Sequence, residues 1–583
     1  MERIIVAKRL MCAVVCGIVL FTDIQAQAPA PYGPVPNARQ IEWNHRERMA
    51  FFHFNMNTFT NVEWGTGNES PTLFNPTALN CEQWIRTVKQ AGFNTAILTV
   101  KHHDGFCLWQ TATTIHGVNN STWRSGAGDV VKEFTDACAK YGVKAGIYLS
   151  PWDMNQDVVY HTYGTPAYVT LYANQLKELV TGYGKVWELW WDGAGSGTAI
   201  LPADYVRWND TLRKFQADVF LFGSMKASPL VDGRWIGNEA GTAGDPCWST
   251  IDRSIIDVEN TSILNSGQLA GSSWVPGECD VSIRSGWYWH ASQDGAVKSV
   301  TTLRDIYFTS TGRNTVWLLN VPPDNRGLIK TTDSIRLDSL GGWIYGTFRT
   351  NLAAGAAVTS LHPRGTGYEA SNLVDTLEST YYSTPNANMT DTVTFNLGSS
   401  RTFDVIMVQE VIQLGHRTTG WAVQSSTNGT TWNAITGATG KQSIGYKWLV
   451  RVTTPVTASY VRLCITAGRA CPAIHTFGIF LQSFTRPPAV AVSQPQAQAP
   501  LSAAALSSVQ LHGTTLVLPA LFSNKRVALE ILDLNGRVLE RMAAEGNRIS
   551  VSNSRNTFYN KVCFVKVTSG DLHMVRKIIA VAR

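Results

Sequence analysis

Between about Arg39 and Gly346, short apolar runs alternate with amphipathic stretches. This alternation restricts the chain more than any other feature, because strands joined through helices lie parallel in one sheet with helices packed on it. The runs Met49 to Asn55, Thr95 to Lys101, Lys144 to Ser150, Lys185 to Asp192, Val219 to Gly223, Arg234 to Gly237, Val281 to Trp289 and Thr315 to Asn320 are the strand candidates, eight in all. Helix signals separate them. Asn80 is placed to cap a helix with Gln83 at its third position and Gly92 after its end, Asp129 a second ending at Gly142, and Thr165 with Pro166 a third ending near Gly182. No glycine-rich phosphate loop follows the first strand, so the pattern predicts a (β/α)8 barrel over residues 36–346 rather than a doubly wound sheet.

Past Thr347 the helical period gives way to short alternating runs: Thr392 to Asn396, Phe403 to Gln409, Trp421 to Ser425, Lys447 to Val452, Tyr460 to Ile465 and His475 to Leu481. Asn428-Gly429 carries the signal of a type I′ hairpin. Residues 347–484 therefore read as an all-β sandwich or jelly roll. A Pro-, Ala-, Gln- and Ser-rich linker follows over 485–506, then a small C-terminal β-domain over 507–583 with strands Val527 to Leu534 and Val562 to Val567 and turns at Asn535-Gly536 and Gly570-Asp571.

Arg3, Lys8 and Arg9, the apolar run Leu10 to Phe21 and the small residues before Gln27 have the order of a secretory signal over residues 1–26, and the apolar run is too short for a membrane span. Net charge is +6, but the segment from Ser507 carries +6 by itself and the leader +1, which leaves the body at −1. A near-neutral body has no electrostatic footprint for nucleic acid and points to an uncharged partner. Twenty Trp suit either stacking on sugar faces or core packing. The cysteines show no C-x-x-C zinc spacing; Cys464 and Cys471 are placed to pair, and the others read as small apolar residues.

In such a barrel the site lies at the C-terminal ends of the strands. There the chain carries His53, Glu63-Trp64, His102-His103-Asp104, Tyr148, Asp192-Gly193, Asn238-Glu239, Glu278, Asp280 and Trp287. Two carboxylates flanking one bond are the minimum equipment of retaining glycoside hydrolysis. Asp192, closing an apolar strand before Gly193, is the candidate nucleophile, and its alternative is a helix cap. Glu188, four residues earlier, reads as a deeper hydrogen-bonded structural group. Glu239 and Glu278 are both eligible as acid/base, and spacing leaves both open. Neighbouring strand residues face opposite ways, so His102 and His103 present one ring to the cleft unless the chain curls, which disfavours metal ligation.

The stretches Phe52-His-Phe-Asn-Met-Asn-Thr-Phe59, Lys101-His-His-Asp-Gly-Phe106, Glu188-Leu-Trp-Trp-Asp-Gly193, Arg234-Trp-Ile-Gly-Asn-Glu239, Trp274-Val-Pro-Gly-Glu278, Ser282-Ile-Arg-Ser-Gly-Trp287 and Leu318-Leu-Asn-Val-Pro-Pro323 resemble the α-L-fucosidases of glycoside hydrolase family 29, over about Gln40 to Phe484. The resemblance implies Asp192 as nucleophile of a double displacement and favours Glu239 as acid/base with Glu278 in reserve. It also implies that His53, Glu63, Trp64, His102, His103 and Tyr148 hold the fucose hydroxyls, so the chain must curl at the adjacent histidines, and that Trp287 packs on the C6 methyl. The branch acting on α-1,3/1,4-linked fucose is the most similar. No cofactor or metal is implied. The sandwich is similar to F5/8 type C or carbohydrate-binding domains, and the C-terminal segment resembles sorting domains of type IX secretion, which implies a secreted, surface or periplasmic location and the secretion machinery as a partner. The expected partner is a fucosylated oligosaccharide or glycoconjugate. The competing readings are a non-catalytic glycan-binding protein and a metal-dependent barrel hydrolase.

Overall fold

The computed structural model describes residues 26–490, apart from 195–198 and 224, together with seven strands between Gln510 and Ile579. Eight parallel strands close a barrel: β1 (Arg48–Phe52), β2 (Thr95–Lys101), β3 (Lys144–Leu149), β4 (Glu188–Trp190), β5 (Phe220–Gly223), β6 (Gly233–Trp235), β7 (Gly277–Ser282) and β8 (Val316–Asn320). Each strand pairs with its sequence neighbour, and β8 closes on β1. The fold is that expected from the alternation of apolar runs.

The strand period of two divides the apolar residues between two cores. Met49 and Phe51 of β1 point into the barrel with Ile97, Tyr148, Trp190, Phe220, Phe222, Val316 and Leu318, whereas Ala50 and Phe52 pack outward against the helices. Trp43 plugs the floor, its ring stacked on Phe220 at 4.5 Å between centroids. The caps form as the sequence predicts: Asn80 accepts from the Gln83 N–H, Asp129 from Lys132 and Thr165 from Tyr168, opening helices Cys81–Gln90, Val130–Tyr141 and Pro166–Gly182. The connection from β6 to β7 is irregular, built of a two-stranded ribbon and the short helices Arg253–Asp257 and Thr261–Ser266.

One strand differs from expectation in a way that matters. The seventh was expected over Val281 to Trp289 but ends at Ser282. The Arg284 guanidinium, fully buried, is bound by Asp333 and Asp294 at 2.9–3.0 Å, and this network draws the chain off the sheet. The strand also begins earlier than expected, at Gly277, so Glu278 and Asp280 are residues of the strand itself, with Glu278 in register with Val316 of β8 and Trp235 of β6.

The second domain holds β9 (Ala357–Ser360), β10 (Tyr382–Ser383), β11 (Asp391–Glu410), β12 (Thr418–Ser426), β13 (Asn433–Ala434), β14 (Trp448–Gly468) and β15 (Ala473–Phe480), in the order β10-β15-β11-β14-β12-β13 with β9 beside β11. Thr392 to Asn396 and Phe403 to Gln409 are two halves of β11, and Lys447 to Val452 and Tyr460 to Ile465 belong largely to β14, because register shifts let the long strands bend without ending. The hairpin at Asn428-Gly429 exists but is not a two-residue type I′ turn: Ser425 pairs with Asn433, and Asn428 Oδ1 caps the wider loop by accepting from Thr430 and Thr431. Cys464 and Cys471 do not pair. The Cys471 sulfur accepts from Arg417, 3.0 Å away, while Cys464 meets Gln424.

The domain packs on the barrel through His416, whose ring stacks on Trp274 at 4.6 Å, meets Trp248 edge-on and accepts the Ser249 N–H at 2.9 Å. In the C-terminal segment β16 (Gln510–His512), β17 (Thr515–Val517), β18 (Arg526–Leu532), β19 (Val538–Glu545), β20 (Arg548–Ser550), β21 (Val562–Ser569) and β22 (Leu572–Ile579) make two small sheets, β16-β17-β20 and β19-β18-β21-β22. The leader, most of the linker and the turns at 535–536 and 570–571 lie outside the described residues.

Candidate active site

A cavity of about 260 Å³ opens at the C-terminal end of the barrel, room for a single sugar ring. Its wall includes His53, Trp64, His102, His103, Tyr148, Asp192, Glu239 and Trp287, so eight of the ten candidate residues named from the sequence meet in one place. Phe51, Trp190, Phe222 and Trp235 complete an aromatic lining, and Asp280 and Glu259 add carboxyls.

Asp192 follows β4 by two residues. Its Oδ2 accepts the Tyr148 hydroxyl at 2.8 Å and its Oδ1 accepts the Ala194 N–H at 2.8 Å, which fixes the carboxylate plane. His103 Nε2 lies 3.6 Å from Oδ2. Burial, and then the Asp192 charge, push the Tyr148 phenol well above its ordinary range, so it stays a donor.

Both adjacent histidines reach the cavity. β2 stops at Lys101 after a register irregularity, and His102 to Gly105 form a turn in which the Gly105 N–H donates to the His102 carbonyl and Gly105 adopts φ +82°. The rule of opposite faces belongs to extended chain and lapses in this turn; the two rings lie 4.1 Å apart. The surrounding network assigns two of the imidazole tautomers. Asn320 Nδ2 donates to the Trp287 carbonyl, so its Oδ1 is the acceptor for the His53 N–H and Nδ1, and His53 Nε2 carries the lone pair. Asn57 Nδ2 donates to the Glu63 carbonyl and meets His102 Nδ1 at 3.4 Å, which leaves the proton of His102 on Nε2. Burial lowers the pKa of all three rings, that of His53 to about 3, so they are neutral hydrogen-bonding groups.

Glu239 stands at the mouth, where Oε2 accepts the Trp287 indole N–H at 3.0 Å. Partial burial lifts its pKa; the indole bond opposes this, and the charges of Asp192 and Glu63 add to the rise. A carboxyl whose surroundings favour its protonated form suits acid catalysis. Trp64 is 57% exposed and stands edge-on to His103 and Trp152 at the rim.

Two candidates lie elsewhere. Glu63 is behind the wall: its Oε2 accepts from the backbone N–H groups of Trp287 and Tyr288, and its Oε1 meets His290 Nε2 at 2.7 Å. Glu278 is inside the barrel below the cavity, fully buried. Among the wall residues that sequence reasoning left out, Phe51 and Phe222 read as core, since nothing in a strand pattern separates the last core residue from the first wall residue, and Glu259 lies on the irregular connection between β6 and β7, which carries no strand-end signal. Among the described residues no group of three or more His, Cys, Asp or Glu is arranged to hold a metal ion.

A (β/α)8 barrel whose strand ends hold two carboxylates, neutral imidazoles and indoles around a sugar-sized cavity defines a glycoside hydrolase. Comparison with known proteins narrows this. Residues 32–347 match the alpha-L-fucosidase family model and residues 356–476 the F5/8 type C domain model. Alpha-L-fucosidase 1 of Arabidopsis thaliana is 38% identical over 466 residues, 78% of this chain and 89% of that protein. A solved structure from Bacteroides thetaiotaomicron is 48% identical, with a TM-score of 0.76, and covers 78% of this chain and 99% of its own. A Ruminococcus gnavus GH29 fucosidase in complex with fucose is 32% identical with a TM-score of 0.72, covering 79% and 97%. The chain belongs to the α-L-fucosidase family and is an α-L-fucosidase glycoside hydrolase.

Proposed function

We propose that the enzyme is exported and removes terminal α-L-fucose, α-1,3- or α-1,4-linked in branched glycans, with retention of configuration by double displacement. The observation that carries this reading is the pairing in one cavity of Asp192, aligned by Tyr148 and Ala194, with Glu239, whose proton is favoured by its surroundings. Asp192 attacks the anomeric carbon as the bond to the leaving oxygen breaks, and Glu239 gives that oxygen its proton. Glu239 then takes a proton from water as the water attacks the glycosyl-enzyme, releasing fucose and restoring Asp192.

Fucose is neutral and carries one methyl group, so it calls for hydroxyl-directed groups beside an apolar surface. His53 Nε2 offers an acceptor, His102 Nε2–H a donor, and Trp287 an aromatic face; Glu63 acts by holding the Trp287 backbone. Trp64 at the exposed rim, with Glu259, faces the remainder of the glycan. The leader and the C-terminal segment support export to the cell surface, periplasm or medium, with the secretion machinery as a partner.

The test is hydrolysis of an aryl α-L-fucoside and of a branched α-1,3/1,4-fucosylated oligosaccharide, following the anomer first released by NMR. α-Fucose as first product, loss of activity in Asp192→Ala and Glu239→Ala, and azide rescue giving β-fucosyl azide from Asp192→Ala and α-fucosyl azide from Glu239→Ala are the expected results. β-Fucose as first product would refute retention, and a preference for α-1,2 or α-1,6 linkages would refute the linkage assignment.

A further inference from the structure

From the barrel floor up to the mouth of the cavity, four indole N–H groups are matched to four carboxyls. Trp43 donates to Glu188 at 3.0 Å, Trp190 to Glu278 at 2.8 Å, Trp235 to Asp280 at 2.9 Å and Trp287 to Glu239 at 3.0 Å. The first two carboxyls are neighbours inside the barrel, each within the other's electrostatic reach. Glu188 is 1% and Glu278 0% exposed, and each spends one oxygen on an indole. The other oxygen of each, Glu188 Oε1 and Glu278 Oε2, is buried with no hydrogen-bond partner. Two buried carboxylates cannot satisfy those oxygens; one proton between them satisfies both.

We infer that Glu188 and Glu278 hold one proton between them and act as a positioning pair for the Trp190 indole. Trp190 forms part of the cavity wall, stacked on Phe222 at 4.4 Å and on Tyr148 at 5.3 Å, the tyrosine that aligns Asp192. The pair therefore acts on the site through an indole and touches no substrate, which gives Glu278 a role distinct from acid/base chemistry; this rests on the assignment of that chemistry to Glu239.

Few charges face the pair. At the floor Glu188 shares a small cleft with Arg39, Glu42, Arg46 and Asp218, and it feels the field of Asp232; above, Asp280 lies two residues along β7 on the same face as Glu278. Burial is the largest influence on both carboxyls and raises both, and the charge of Glu188 raises Glu278 further. A raised carboxyl stabilises the fold fully below the ordinary glutamate value near 4.5, and that contribution declines as pH climbs toward the raised value.

The experiment measures melting temperature from pH 6 to 9, and kcat and KM on an aryl α-L-fucoside, for the full-length wild type, Glu278→Gln, Glu278→Leu and Glu188→Gln. In Glu278→Gln the amide accepts from Trp190 and donates to Glu188, so the fall in melting temperature between pH 6 and 9 should shrink by at least about 3 °C, and Glu188→Gln should do the same. Glu278→Leu removes the acceptor and should raise KM about fivefold or more with a smaller change in kcat, and Glu278→Gln should recover most of that loss. Equal pH slopes in wild type and both glutamine variants would overturn the shared proton, as would failure of both glutamine variants to fold at pH 6. A fall in kcat of about 100-fold or more in Glu278→Gln, restored by azide, would overturn the positioning role and return the acid/base assignment to Glu278. The melting measurement needs no substrate, so its outcome is independent of the assignment of Glu239.

Discussion

The indole N–H of Trp287 donates to Glu239 Oε2 at 3.0 Å, so one residue supplies both an apolar face of the cavity and a hydrogen bond to the carboxyl proposed as the acid. The bond favours the ionised carboxylate and opposes the rise caused by burial. Trp287→Phe keeps the ring and deletes the donor. The Glu239 pKa should then rise, and the alkaline limb of kcat/KM should move to higher pH, as read from a pH-rate profile on an aryl α-L-fucoside. A limb displaced to lower pH would contradict the assignment of Glu239 as the acid.

Tyr148→Phe removes the hydroxyl that donates to Asp192 Oδ2 at 2.8 Å and leaves the Ala194 N–H as the remaining restraint on the carboxylate. In the proposed role of Asp192 as nucleophile, misorientation costs more in the chemical step than in binding. We expect kcat to fall by about 10- to 100-fold with KM little changed. Steady-state kinetics check this, and an effect confined to KM would show that the hydroxyl serves the substrate instead.

Asn320 sets the His53 tautomer and also supports the Trp287 carbonyl and Ser282. Asn320→Ala leaves His53 free to place its proton on Nε2, opposing the acceptor role in the cavity. The loss should be about 1–3 kcal/mol of transition-state stabilisation, roughly 5- to 150-fold in kcat/KM. A change below twofold would show that the tautomer is fixed by other means.

His416 is 2% exposed, sandwiched by Trp274 and Trp248 and bonded to Ser249. His416→Ala leaves a cavity and an unpaired buried N–H at the contact of barrel and sandwich. The expected destabilisation is about 2–4 kcal/mol by denaturant unfolding, with kcat on an aryl α-L-fucoside retained in the folded fraction, since the residue lies apart from the cavity.

Much of the site is legible in the sequence because barrel chemistry sits at strand ends, and strand ends can be counted from apolar runs. Asp192 after Glu188-Leu-Trp-Trp, and Glu239 after Arg234-Trp-Ile-Gly-Asn, are found this way. The histidine pair is different. The rule of alternation assigns one ring to each face, and the turn at His102 to Gly105 is set by contacts distant in sequence, among them Asn57 to His102 and Ser150 to His103. Glu63 is different again: it directly precedes Trp64-Gly65 in the sequence yet spends both oxygens on the Trp287 loop, a pairing across more than two hundred residues.

The sequence by itself determined the barrel, the β-rich second domain and the helix caps, since each follows from periodicity and local hydrogen bonding within a few residues. Tertiary structure set Glu239 and Glu278 apart, one in the cavity wall and the other buried beneath it. A strand has a period of two and a fixed register, so where β7 begins and ends determines which carboxyls point into the barrel and how far down. The Arg284 network that ends β7 at Ser282 lies outside the strand's own pattern. The start of β7 at Gly277 and its register leave Glu278 inside the barrel near Glu188, and Glu239, on an irregular loop, at the mouth beside Trp287.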